Sequence, residues 1–127
     1  MEKPTVAILG ASSDRSKFGN KSVRAHLQAG YDVFPVNPKG GQIEGLAVWR
    51  TLGEVPLEHL DRVSVYLPPA VGLGALDEIA AKGCDELWLN PGSESPEILA
   101  KASQLKLKAI ADCSIVDLGL SPSQFPG

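Results

Sequence analysis

An apolar run, Thr5-Val6-Ala7-Ile8-Leu9, is followed at once by the small residues Gly10-Ala11-Ser12-Ser13. A helical pattern comes next, then a second apolar run, Asp32-Val33-Phe34-Pro35-Val36, which stops at Asn37-Pro38-Lys39. A strand that turns through small residues into a helix and returns as a strand is a βαβ unit of the nucleotide-binding kind. Such an opening commits the chain to a parallel sheet, since only a crossover of this sort joins parallel neighbours.

The same alternation continues to the end. Five apolar runs, Thr5 to Leu9, Asp32 to Val36, Arg62 to Tyr66, Glu86 to Leu89 and Lys108 to Ala111, predict five short strands rich in Val, Ile and Leu. Helical patterns lie between them. The first spans Gly19 to Ala29, with Val23 and Leu27 on its buried stripe and Gly30 as a left-handed stop. A short helix is expected near Leu52 to Val55. A third, Val71 to Lys82, carries Leu73, Leu76, Ile79 and Ala80 on one face and ends at Gly83. The fourth has Ser95 as N-cap and Pro96 at its first position, and buries Ile98, Leu99, Ala102 and Leu105. The predicted fold class is α/β: a Rossmann-like, doubly wound, parallel five-stranded sheet in a single domain over residues 1–127. The tail from Ser121 to Gly127 is expected to fray or to lie against the body.

A chain of 127 residues that is 43% hydrophobic and 21% charged has the composition of one globular domain. Its net charge of −3 and lack of a Lys/Arg cluster exclude nucleic acid as the expected partner, because backbone binding needs several cations on one face. No apolar span of membrane length and no secretory leader pattern occurs, and two cysteines are no disulfide framework. The expected setting is a reducing cytoplasm, with no membrane partner and no identified protein partner. No His/Cys/Asp/Glu spacing reads as a metal site. His26 and His59 read as surface or packing residues, and Phe34, Trp49 and Trp88 as core or rim.

In an open parallel sheet the ligand sits outside the carboxyl ends of the strands, where strand order reverses. Every distinctive loop of this chain falls there. The dinucleotide fingerprint G-x-G-x-x-G is only partly met: Gly10 is present, Ser12 and Arg15 stand in the next two glycine places, and Gly19 comes late. Hydroxyls, free N–H groups, Arg15 and Lys17 nevertheless suit a diphosphate at a helix N-terminus, and Phe18 is placed to touch an adenine. At the end of the second strand an NAD site carries an Asp or Glu; here Asn37-Pro38-Lys39 offers a cation and no carboxylate. That favours a phosphorylated ribose, as in NADP or coenzyme A.

These residues resemble a known family, the small stand-alone CoA-binding-domain proteins, similar to the N-terminal CoA-binding module of the succinyl-CoA synthetase α subunit. The resemblance rests on Gly10-Ala11-Ser12-Ser13, Val36-Asn37-Pro38-Lys39-Gly40-Gly41, Gly45-Leu46-Ala47-Val48, Val65-Tyr66-Leu67-Pro68-Pro69, Leu87-Trp88-Leu89-Asn90-Pro91-Gly92 and Asp112-Cys113, in the family's order. It implies that the turn from Ser12 to Arg15 holds the diphosphate and that Lys39 lies near the phosphorylated adenosine. It also implies that Leu67, Pro68 and Pro69, with Leu89, Asn90 and Pro91, line the path of nucleotide and pantetheine. The candidate ligand contacts are therefore these together with Gly10, Ala11, Ser13, Lys17, Phe18, Gly19, Asn37 and Pro38.

No catalytic constellation is legible. The Tyr-x-x-x-Lys pair of short-chain reductases is missing, since Pro35 and Ala70 fall four residues after Tyr31 and Tyr66. The second domain of the synthetase α subunit, with its phosphorylated histidine, is also not expected here. The expected function is a non-catalytic coenzyme A or acyl-CoA binding protein. The alternative is a small NADP-dependent oxidoreductase, or an enzyme subunit completed by a partner chain. Cys113, after the last strand, reads either as a small buried hydrophobe or as a thiol facing the pocket, and Cys84 as structural.

Overall fold

The five apolar runs form one parallel sheet in the computed structural model, which describes residues 3–127. In chain order the elements are β1 (Thr5–Leu9), α1 (Phe18–Gln28), β2 (Asp32–Val36), β3 (Gln42–Ile43), β4 (Leu46–Ala47), a 3-10 turn (Leu52–Glu54) and β5 (Leu60–Val65). Then follow α2 (Pro69–Lys82), β6 (Cys84–Leu89), α3 (Pro96–Gln104), β7 (Ala109–Ile110), α4 (Ser114–Asp117) and a second 3-10 turn (Pro122–Gln124). The sheet order is β2-β1-β5-β6-β7, so strand order reverses between β1 and β5.

Side-chain alternation along the strands sends the two faces to different partners. Ala7, Leu9, Val63, Val65, Leu87 and Leu89 share one apolar cluster with Leu76 and Ile79 of α2 and Ile98 and Ala102 of α3. Val6, Ile8 and Val33 pack with Val23 of α1 on the other face. There Ala25 of α1 also meets Ile115 of α4 and Phe125. Helices thus cover both faces, which is the doubly wound arrangement expected.

That second face is not apolar throughout. β5 and β6 place Arg62, Ser64, Glu86 and Trp88 under α1 and α4, and Arg62 and Ser64 are buried there. Arg62 pairs with Glu86 and Asp117 at 3.1 and 2.6 Å and lies over the rings of Trp88 and Tyr31. His26 is wholly buried beside it, its ring edge-on to Tyr31. It is a packing residue.

Local signals explain most element ends. Ser95 caps α3 by accepting the Ile98 N–H at 3.2 Å. Gly30, at φ 90°, reverses the chain after α1 while the Tyr31 N–H bonds the His26 carbonyl. Several expectations need correcting. β5 and β6 begin two residues earlier than predicted and β7 keeps only two of four residues. Leu27 and Leu99 are 38% exposed, because α1 and α3 each turn a narrower stripe inward than their full set of apolar residues. The β3–β4 hairpin and α4 were not foreseen. The tail lies against the body: Phe125 is buried, and its carbonyl receives Lys21 and Arg24.

After the hairpin the chain runs back along the outer edge of β2. Trp49 donates to the Pro35 carbonyl and accepts from the Asn37 N–H, each at 2.9 Å. This edge position is what lets β2 contain Pro35, which has no N–H to give.

Candidate cleft at the switch point

The first loop is held to the body through its carbonyls. Asn37 donates to the Ala11 carbonyl at 2.8 Å, Asn20 to that of Ser12 at 2.9 Å and Arg24 to that of Arg15 at 2.8 Å. Three loop carbonyls are thereby tied to the body. Ser12 Oγ accepts the Asp14 N–H at 3.0 Å, which leaves the Ser12 hydroxyl proton free to donate. Asp14 turns its carboxylate to Ser16, whose hydroxyl and N–H bonds, helped by nearby Lys17, hold its pKa below the usual carboxylate value.

α1 starts without a side-chain cap and without an acidic residue in its first turn. Its first N–H groups therefore carry the positive end of the helix dipole unopposed. Gly19, in that first turn, lies directly on Gly10: a Cβ there would collide with the Gly10 carbonyl oxygen. This is the helix-to-strand contact that the fingerprint assigns to its last glycine, delayed by a longer loop. Gly10 itself has φ 84°, and a Cβ on it would meet the Tyr66 carbonyl oxygen at 2.5 Å.

A cleft of about 510 Å³ opens at this point. Its near wall is Gly10, Ala11, Ser12, Lys17, Phe18 and Gly19, with Asn37 and Lys39 at the β2 end. The far wall is Tyr66, Leu67, Pro68 and Pro69 after β5, then Pro91, Gly92 and Ser93 after β6. Two ammonium groups and several hydroxyl and amide donors face it, and no carboxylate lines it. An anionic ligand fits that donor set. Beside it, a recess of about 100 Å³ brings Ser12, Ser13, Asn37 and Lys39 against Gly40, Gln42 and Ile43 of the hairpin. A third, of about 70 Å³, lies between Phe18, Tyr66, Asn90, Pro91, Cys113 and Ile115.

Three of the sequence-predicted contacts lie elsewhere. Arg15 turns away to Glu44 at 3.4 Å, a partner supplied by the unforeseen hairpin. Pro38 is exposed, its carbonyl accepting from Arg50 at 2.8 Å. Leu89 is wholly buried in the core, because its place in β6 points it at α2 and α3. Asn90 touches only the smallest recess. Its amide donates to Ser64 Oγ and the Val65 carbonyl, and its oxygen accepts from the N–H and hydroxyl of Ser114, all within 2.9 Å. It staples β5, β6 and α4 together. Tyr66, Gly92 and Ser93 were missed as wall residues, although Tyr66 and Gly92 stood inside the quoted motifs. Burial pushes the Tyr66 phenol pKa upward, against the pull of its hydrogen bond with Ser114. Among the described residues no group of three or more His, Cys, Asp or Glu could hold a metal, and no helix is long and apolar enough to cross a membrane.

Comparison with known proteins identifies the family of the chain. A family model described as a CoA binding domain matches residues 4–119. The chain is 31% identical over 111 residues to a trans-feruloyl-CoA synthase from an unknown prokaryotic organism, covering 84% of this chain and 15% of that protein. It is also 31% identical over 85 residues to subunit alpha of an ADP-forming acetate–CoA ligase of Pyrococcus furiosus, covering 62% of this chain and 18% of that one. Among solved structures, a conserved hypothetical protein from Pyrococcus furiosus superposes with a TM-score of 0.81 at 32% identity, over 91% of this chain and 99% of that chain. The chain thus spans less than a fifth of the curated relatives' length and nearly all of a small solved protein.

Proposed function

We propose, from the premise that this chain belongs to the CoA-binding domain family, that its cleft holds coenzyme A and carries out no reaction on it. The observation that carries this reading is the cleft's charge: an uncapped helix start and two lysines, with no carboxylate on the walls. The diphosphate would lie on the Ser12 hydroxyl and the free N–H groups at the start of α1. The ribose phosphate would sit in the hairpin recess with Lys39, and the pantetheine would run over Leu67, Pro68 and Pro69 towards Pro91. When bound, coenzyme A supplies a thiol or thioester. The chain's own residues bind and orient it. Among the described residues the bases on these walls are lysines, Asp14 beside Ser12 turns its carboxylate to Ser16, and the buried His26 faces Ser22 and Arg62.

Calorimetric titration with coenzyme A, dephospho-CoA, NADP and NAD tests the reading. Lys39→Glu is expected to weaken coenzyme A about 10- to 100-fold, the worth of one charge-assisted bond, while changing dephospho-CoA less than about threefold. Equal losses for both would remove Lys39 from the phosphate site. Binding of NADP without coenzyme A would move the protein to the reductase reading. A second reading, an enzyme subunit completed by a partner chain, draws on the likeness to a ligase subunit alpha. It predicts turnover only when a separate catalytic chain is added.

A further inference from the structure

We propose that the smallest recess selects the group carried on the ligand: it admits a short, uncharged acyl chain and rejects aromatic or acidic ones. The inference rests on the coenzyme A reading and deepens it. Lys39 follows β2 and Cys113 follows β7, so the cleft and this recess together span the sheet. Four strand spacings of about 4.8 Å place these ends roughly 19 Å apart. The recess shares Phe18, Tyr66 and Pro91 with the cleft, so it is the cleft's blind end, opposite the phosphate recess. A ligand with its ribose phosphate at Lys39 delivers its sulfur end there.

Size sets the first limit. The recess measures about 70 Å³, against ~150 Å³ for a cavity that takes up benzene and ~30 Å³ for each water in the liquid. It holds two or three non-hydrogen atoms, roughly an acetyl group. Chemistry sets the second. Phe18, Pro91 and Ile115 give the recess apolar walls, and the polar atoms beneath are turned on one another. The Ser114 hydroxyl donates to Asn90 at 2.9 Å, and Ser64 and Tyr66 approach Ser114 Oγ at 2.7 and 3.1 Å. The Asn90 amide is spent on Ser64 and Val65. No cation lines the recess. A carboxylate on the acyl chain would be buried there without a partner, whereas a methyl group would leave water at no polar cost.

The test is a binding panel under reducing conditions: coenzyme A, acetyl-CoA, malonyl-CoA and benzoyl-CoA, titrated into the protein and into Cys113→Met and Phe18→Ala. Acetyl-CoA is expected to bind about four times tighter than coenzyme A, the worth of one buried methyl group. Malonyl-CoA and benzoyl-CoA are expected at least about tenfold weaker than acetyl-CoA. Cys113→Met fills the recess and should erase the acetyl preference, bringing acetyl-CoA to or below the affinity of coenzyme A. Phe18→Ala removes an exposed wall and should narrow the benzoyl-to-acetyl gap. Equal affinity for all four ligands, or an acetyl preference untouched by Cys113→Met, overturns the recess while coenzyme A binding stands. Binding of none of the four overturns the coenzyme A reading, and the recess with it.

Discussion

His26 should make this protein lose stability between neutral and mildly acidic pH. Its ring is wholly inaccessible to solvent, with Nδ1 2.8 Å from the Ser22 carbonyl oxygen and Nε2 3.4 Å from an Arg62 nitrogen. The neutral tautomer with hydrogen on Nδ1 satisfies both neighbours, since Nδ1–H donates to Ser22 and Nε2 accepts from Arg62. A second proton would point at the guanidinium. Burial foremost, and the Arg62 charge after it, outweigh the Ser22 bond and Asp117 and lower the His26 pKa from 6.5 to about 4. The unfolded chain therefore binds the proton first as pH falls. Stability from this group is complete above pH 6.5, declines through the interval down to 4, and levels off below. Linkage gives a loss of about 2 kcal/mol by pH 5 and about 3 kcal/mol by pH 4. Carboxylates add their own acid sensitivity, so the measurement is a difference: urea unfolding of the protein and of His26→Gln at half-unit steps from pH 7.5 to 4. The protein's stability relative to the variant should fall by about 3 kcal/mol across the series. Parallel curves would mean that His26 titrates alike in both states, and that the packing of α1 on β5 does not exclude the proton.

Gly19→Ala sets a Cβ against the Gly10 carbonyl; overpacking of this kind should cost about 2 kcal/mol in urea unfolding and weaken coenzyme A by displacing the first loop. Asn90→Ala leaves Ser64 and Ser114 buried without their amide partner, and should cost about 3 kcal/mol and raise hydrogen exchange in α4. Burial, with Asp85 and Glu86 nearby, pushes the Cys84 thiol up to about 11. At pH 8 only about 0.1% of it would be thiolate, so alkylation followed by mass spectrometry should show Cys84 reacting far more slowly than a free model thiol.

Fold class was legible because it depends on order and period. Apolar runs separated by helical patterns admit a parallel sheet, and capping residues such as Ser95 with Pro96, or Gly30, act within a few positions of themselves. The resemblance to CoA-binding-domain proteins was carried by the loops at strand ends, and the family match over residues 4–119 agrees with it. Less legible was anything that needs two distant segments to meet. Arg15 looked like a phosphate ligand until the β3–β4 hairpin brought Glu44 to it. Leu89 and Asn90, neighbours in one motif, part company because strand alternation sends one into the core and leaves the other to bind Ser114 across 24 residues. His26 gave no sign of its burial, since only packing sets it beside Arg62, 36 positions away.

The sequence by itself determined the sheet, its helices and the end of the sheet where the cleft opens, since these follow from local propensity and hydrophobic period. Tertiary structure decided which side chains reach the cleft, where the charges are paired and how large the recesses beside it are. Those depend on the register of β5 against β6, the return of the hairpin along β2 and the seating of α4. Their energies come from contacts between residues that no local pattern links.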